Sequence, residues 1–160
     1  MPHLDAGYNL ARWILTDPDR AEDATQDAAL KALRGIGSLR AAEPKPWFLA
    51  IVRNTCFNSL RTSRSRKQFE AAFEDEGSPI PISYGNPASE AFSSATRESL
   101  RRAIESLPEG LREVIVLREI EDMSYREIAE IAGIPEGTVM SRLSRARERL
   151  AKILGSEVER

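Results

Sequence analysis

Apolar residues in this chain recur at helical intervals and almost nowhere alternate as a half-buried strand would. Leu4, Tyr8, Ala11 and Leu15 fall on one stripe and predict a first helix from Leu4 to Leu15. Asp17 is placed to cap a second helix, with Pro18 in its first turn and Asp19, Glu22 and Asp23 near its positive end. That helix ends near Arg34, where Gly35 supplies a stop. A loop from Gly35 to Lys45 follows, and Pro46 opens a third helix through Trp47, Phe48, Ile51 and Val52 toward Arg64. Three helices can enclose one core, so a first domain is expected over residues 1–67.

From Gln68 to Ala95 the periodic pattern is interrupted by Pro79, Pro81, Gly85 and Pro87, with frequent serine and acid, which reads as a flexible linker over 68–95. Periodicity returns at Leu100, Ile104 and Leu107, breaks at Pro108, and resumes with Leu111, Val114, Ile115 and Leu117. The expected fold class is therefore all-α: two small helical domains, the second a four-helix unit over 96–155.

Inside the second unit the chain reads Ser-Tyr-Arg-Glu-Ile-Ala-Glu-Ile-Ala-Gly-Ile-Pro-Glu-Gly-Thr-Val-Met-Ser-Arg-Leu-Ser-Arg-Ala-Arg from Ser124 to Arg147. Ser124 and Glu127 have capping-box spacing, and Ile128, Ala129, Ile131 and Ala132 supply a buried stripe. Gly133 permits a reversal, Pro135 and Gly137 open the next helix, and Val139 and Leu143 face inward at i, i+4. Glu136, Thr138, Met140, Ser141, Arg142, Ser144, Arg145 and Arg149 are left pointing outward. This is the build of a helix-turn-helix whose second helix carries groups suited to base edges and phosphates.

Charge places such chemistry in patches. The net formal charge is −2, so the surface as a whole does not attract a polyanion. Yet Arg53 to Lys67 holds five basic residues (Arg53, Arg61, Arg64, Arg66, Lys67) and no acid, and Arg142 to Lys152 holds five basic residues against Glu148 alone. Glu70 to Glu90 carries only acids. Two DNA-binding surfaces flanking a repelling segment fit this distribution. Asn54, Asn58 and Arg61 lie at i, i+4 and i+7, one polar stripe able to meet nucleic acid.

One cysteine, Cys56, excludes an internal disulfide and reads as a small buried apolar residue; with a single histidine, His3, no metal-ligand spacing exists. No cofactor is expected, and no nucleophile, base and orienter assemble into an enzyme. No apolar run reaches membrane-spanning length and the start lacks a signal-peptide pattern, which predicts a soluble, cytoplasmic chain without membrane insertion.

Four segments, in order, resemble the sigma-70 family, and among its members the small extracytoplasmic-function (ECF) type that keeps only regions 2 and 4. Ala21-Glu22-Asp23-Ala24-Thr25-Gln26-Asp27 is similar to the acidic region 2 helix, and Pro46-Trp47-Phe48-Leu49-Ala50-Ile51-Val52-Arg53-Asn54 to the tryptophan-led helix. Leu107-Pro108-Glu109-Gly110-Leu111-Arg112-Glu113-Val114 and Met123-Ser124-Tyr125-Arg126-Glu127-Ile128-Ala129 are similar to the two halves of region 4.

The resemblance implies a sigma factor that binds RNA polymerase core through its clamp helices and flap, and directs promoter recognition, melting and initiation. It implies core docking by Asp23, Gln26 and Asp27. It implies capture of the minus-ten element as single strand by the loop residues Ser38, Leu39 and Arg40 and by Asn54, Asn58, Arg61 and Arg64. The minus-thirty-five duplex falls to Thr138, Ser141, Arg142, Arg145 and Arg147, with Arg147 and Arg149 nearer the backbone or a neighbouring helix. Three departures stand out: Ala24, Ala28 and Ala29 replace bulky apolar residues, the Gly35 to Lys45 loop is poorer in glycine and aspartate, and Met140 replaces a basic residue. An anti-sigma factor is the further implied partner, and the acidic linker is expected to thread the polymerase's RNA exit path. A stand-alone helix-turn-helix regulator, and a sigma-like decoy that binds an anti-sigma factor but no promoter, remain as alternatives.

Overall fold

The computed structural model describes residues 3–38, 43–63 and 89–158. The described residues contain seven α-helices, a 3₁₀ turn and a π-helical turn, and there is no strand among them. The first, α1 (Leu4–Leu15), buries Gly7, Leu10, Ala11, Ile14 and Leu15. Ala11 and Leu15 of the expected stripe are buried and Tyr8 packs partly buried against the core, whereas Leu4 at the helix start is exposed. Gly7 adds a close approach that the stripe does not include, because a Cβ there would stand 2.7 Å from the Phe48 ring and 3.1 Å from Val52. The contact is made by a missing side chain, which a hydrophobic pattern does not register.

Helix α2 (Pro18–Arg34) begins as expected, with the Asp17 carboxylate accepting from Asp19 N–H at 2.9 Å and Arg20 N–H at 3.4 Å. Its inner face is a ladder of Ala21, Ala24, Ala28 and Ala32, all buried. The alanines that depart from the family pattern at 24 and 28 are therefore core residues that let α2 lie close against its neighbours. A 3₁₀ turn (Ile36–Ser38) follows.

Helix α3 (Pro44–Ser63) starts two residues before the expected Pro46. Both prolines fit a first turn, where no intrahelical N–H donor is needed. Phe48, Leu49, Val52, Cys56 and Leu60 are its buried stripe. Full burial of Phe48 alone contributes on the order of 2–3 kcal/mol. Arg20 donates to the Ser59 carbonyl at 3.3 Å and hydroxyl at 3.1 Å, and Lys31 to the Thr55 hydroxyl at 3.3 Å, tying α2 to α3.

Helix α4 (Ser89–Glu105) reaches back into the segment expected to be linker, whose residues 68–88 lie outside the described ones. Leu100, expected on its core stripe, is 40 % exposed, whereas Ala103, Ile104 and the following Leu107 are buried. Helix α5 (Glu109–Ile115) runs into a π-helical turn (Val116–Ile120), then α6 (Tyr125–Ala132) and α7 (Glu136–Val158) complete the chain. The capping box of α6 is present in full: Glu127 N–H donates to Ser124 Oγ at 3.1 Å, and Ser124 N–H to Glu127 Oε1 at 2.9 Å. Gly133 closes α6 at φ +70°, a left-handed conformation that glycine adopts without strain. Ile128, Ile131, Ala132, Val139, Leu143 and Ala146 are buried and Ala129 partly so, the expected inner face of a helix-turn-helix.

The two halves share one continuous apolar core. α3 packs on α6, and α1 on α5. Polar ties cross the seam: Arg112 donates to the Ile14 carbonyl at 3.2 Å, and Lys45 reaches both the Glu121 carboxylate and its carbonyl at 3.5 Å.

Candidate partner and nucleic-acid interfaces

Burying the alanine ladder turns the opposite side of α2 outward. Glu22, Asp23, Gln26 and Asp27 are all exposed there; Asp27 pairs with Lys31 at 3.2 Å and the Gln26 amide donates to Glu22 at 3.4 Å. Three large apolar residues stand in solvent at the C-terminal end of α2 and in the 3₁₀ turn after it: Leu30 is 53 %, Leu33 59 % and Ile36 56 % exposed. Sequence reasoning missed them, since leucines at helical spacing read as core. Their signal was negative: they fall out of step with Ala21, Ala24, Ala28 and Ala32. An acidic strip continued by an apolar patch suits a docking surface with basic and apolar parts.

On α3, Asn54, Asn58 and Arg61 are exposed along one face. Arg53 donates to the Asn54 side-chain oxygen at 3.3 Å and Arg61 to that of Asn58 at 2.8 Å. With those oxygens engaged, the amide N–H groups are the donors left to meet base or phosphate oxygens. Arg64, Leu39 and Arg40 lie outside the described residues, and of Ser38 only the backbone, in the 3₁₀ turn, is described.

On α7 the structure brings Thr138, Ser141, Arg142 and Arg145 onto one face at i, i+3, i+4 and i+7, adjoining the buried Val139, Leu143 and Ala146. Ser141 and Arg145 are exposed, and Thr138 and Arg142 partly so. The Ser141 hydroxyl donates to the Thr138 carbonyl at 3.2 Å. Met140, 54 % exposed, sits beside this face. Arg147 turns away to pair with Glu119 of the π-helical turn at 2.9 Å, which holds its guanidinium above the ordinary range. A cation so neutralised steadies α7 against its neighbour more than it attracts a phosphate.

Between the faces lies an ion pair that local sequence could not reveal. Glu113 of α5 is 1 % exposed and accepts from Arg53 of α3 at 2.9 and 3.2 Å. Burial pushes its carboxyl up, more than Arg53 and Arg142 pull it down. Arg53 also lies 4.3 Å over the Phe57 ring. Nearby, an open cleft of about 750 Å³ separates the start of α3 (Glu43, Pro46, Trp47, Ala50) from Ser124, Arg126, Glu127 and Glu130.

Among the described residues no group of His, Cys, Asp and Glu is placed to hold a metal ion, and no helix is long and apolar enough to cross a membrane. Cys56 is fully buried and its thiol is pushed up to about 12 by that burial.

Comparison with known proteins places these elements in a family context. Residues 1–66 match the profile of sigma-70 region 2, and residues 97–150 that of sigma-70, region 4. The chain is 36 % identical over 149 residues to the ECF RNA polymerase sigma factor SigM of Mycobacterium tuberculosis, covering 92 % of this chain and 71 % of that one. It is 41 % identical over 134 residues to the ECF RNA polymerase sigma-E factor of Escherichia coli, covering 79 % and 69 %. Among solved structures it is similar to the sigma factor RpoE in complex with the anti-sigma factor NepR from Bartonella quintana, with a TM-score of 0.70, 29 % identity, and coverage of 95 % and 91 %. The fold of CnrH, solved in complex with the cytosolic domain of CnrY, is also shared, at a TM-score of 0.66 and 22 % identity.

Proposed function

The chain belongs to the sigma-70 family, as an ECF RNA polymerase sigma factor that directs the polymerase to promoters, and from that premise we propose how its surfaces divide the work. Sigma factors are non-enzymatic initiation factors. Polymerase core carries the polymerising chemistry, and this chain supplies address and melting without a reaction of its own.

The acidic face of α2, with Asp23, Gln26 and Asp27, docks on the clamp helices of core, and Leu30, Leu33 and Ile36 extend the contact with apolar area. The end of α3 and the loop before it, with Ser38, Leu39, Arg40, Asn54, Asn58, Arg61 and Arg64, hold the minus-ten element as single strand. α7 enters the major groove of the minus-thirty-five duplex with Thr138, Ser141, Arg142 and Arg145, while Arg147 positions the helix. Region 2 occupies residues 1–67, region 4 residues 96–155, and the acidic segment between them lies in the polymerase's RNA exit path. The chain works in the cytoplasm, where an anti-sigma factor holds it idle.

The observation that carries this reading is the division of α7. One face is locked into the core by Val139, Leu143 and Ala146, and the adjoining face presents two hydroxyls and two arginines at helical spacing, Ser141 and Arg145 exposed and Thr138 and Arg142 partly so. Run-off transcription from core enzyme plus this chain on a pool of genomic fragments tests it. Discrete transcripts absent with core alone are expected, and their absence with folded, uninhibited protein refutes the reading. Asp23→Ala with Asp27→Ala is expected to reduce co-elution with core while preserving helix content; undiminished co-elution rejects the docking face.

A further inference from the structure

Two amides on the outer face of α3 are turned the same way by two different arginines. Asn58 offers its side-chain oxygen to Arg61 at 2.8 Å, and Asn54 offers its own to Arg53 at 3.3 Å. A guanidinium donates and never accepts, so each amide must present oxygen to its arginine and swing the NH2 group away. Asn54, Asn58 and Arg61 are all exposed, each about one turn from the next along the helix. What these three side chains show to an incoming strand is therefore a row of N–H donors.

Base edges differ in how they meet such a row. Guanine carries two neighbouring acceptors, O6 and N7, and thymine carries O4, whereas adenine and cytosine place an amino donor, N6 or N4, beside their acceptors. Asparagine pairs with adenine by accepting from N6 while donating to N7. That pairing needs the amide oxygen, and here the oxygen is already bound to a cation. An amino group approaching its second lone pair would bring positive charge toward the guanidinium. The remaining Arg61 donors add to the match with guanine. This orientation is local, since Asn58 and Arg61 stand three residues apart on one helix and hold each other whatever packs against α3.

We infer that Arg61 is a specificity-determining residue of the minus-ten contact: by holding the Asn58 oxygen, it makes this face of α3 prefer guanine or thymine over adenine or cytosine. Arg53 turns Asn54 in the same sense. The inference deepens the assignment of α3 to the minus-ten strand and rests on it. An arginine that only binds phosphate weakens all sequences alike when removed. One that orients an amide changes which sequence is preferred.

The test is transcription by holoenzyme, core plus this chain, from a pool of promoters randomised across the minus-ten element, with the productive templates sequenced. Wild type is expected to favour guanine or thymine at one or more of the randomised positions. Asn58→Asp replaces the outward donor by an acceptor, so one of those positions should move roughly tenfold toward cytosine or adenine, within what one paired base edge is worth. Arg61→Ala frees the amide to turn, and adenine should gain about fivefold at the same position on top of any uniform loss. Arg61→Lys, still a donor to Asn58, should keep the wild-type preference. The substituted side chains are exposed, so helix content by circular dichroism should be unchanged; Asn54→Asp, expected to move a neighbouring position, carries the test if another variant does not fold. A wild type indifferent to base across the element, or Asn58→Asp and Arg61→Ala with the wild-type preference, would overturn the inference. If those two variants lose output evenly over all sequences, α3 stays on the DNA and only its part in selection is rejected. If they match wild type in both output and preference, the assignment of α3 to the minus-ten strand falls as well.

Discussion

Replacing Arg142 and Arg145 together by alanine tests the face on which promoter addressing depends. Both project from the face of α7 that adjoins the buried Val139, Leu143 and Ala146, three residues apart, so one run of DNA backbone can meet both. Each phosphate contact contributes about 0.9 to the slope of log affinity against log salt, so losing two lowers it by ~1.8. Over a fourfold rise in salt, from about 50 to 200 mM, the double variant should then lose roughly twelvefold less affinity than wild type. Fluorescence anisotropy of a labelled minus-thirty-five duplex, titrated at several salt concentrations, measures the slope directly. Arg147→Ala is the internal comparison. Its guanidinium already pairs with Glu119 at 2.9 Å, so its removal should change the slope by less than half a contact, about 0.4. An unchanged slope in the double variant, or an equal drop in Arg147→Ala, refutes the assignment.

Gly7→Ala should destabilise the chain: the gain of about 1 kcal/mol in helix propensity is outweighed by the ~1–3 kcal/mol of forcing a methyl to 2.7 Å from the buried Phe48 ring. A fall in Tm of about 2–6 °C is expected, and a rise would mean the ring can retreat. Ser124→Ala removes the capping box of α6 at a cost of about 1 kcal/mol, and hydrogen exchange at the Glu127 amide should accelerate before that at the rest of the helix; equal rates would contradict the cap. Burial raises the Glu113 carboxyl against the pull of Arg53 and Arg142, with Glu109 adding to the rise. The folded chain therefore binds this proton more readily than the unfolded one. Stabilisation from it is complete below the ordinary value of 4.5 and fades as pH climbs through the raised value. Urea midpoints should show Glu113→Gln gaining on wild type as pH rises from about 4.5; a constant difference would place the carboxyl at its ordinary value.

Helices with local signals were legible in the residues. Asp17 before Pro18, Ser124 before Glu127, and Gly133 after Ala132 each set a boundary within a few residues, and the structure uses all three. Position 44 was less legible, because Pro44 and Pro46 are equally suited to a helix start. Single positions of α1 and α4, not their phase, depart from the expected stripes, where packing does not follow bulk. Gly7 is a contact made by absence, and Leu100 is a large residue left in solvent. The apolar patch of Leu30, Leu33 and Ile36 was invisible for the same reason, as periodicity says which residues share a face and not which face is covered. Glu113 reads as an ordinary surface glutamate, and its partner lies 60 residues earlier. Only the tertiary fold brings them together.

The sealed position of Cys56 bears on how this molecule can be watched and how it can be regulated. A sulfur without solvent contact, whose proton is held to about pH 12, offers no thiolate to peroxide or to maleimide dyes at neutral pH. Peroxide therefore does not act on this factor through its resident cysteine. The same inertness lets an investigator place reporter pairs on added surface cysteines without first deleting the resident one.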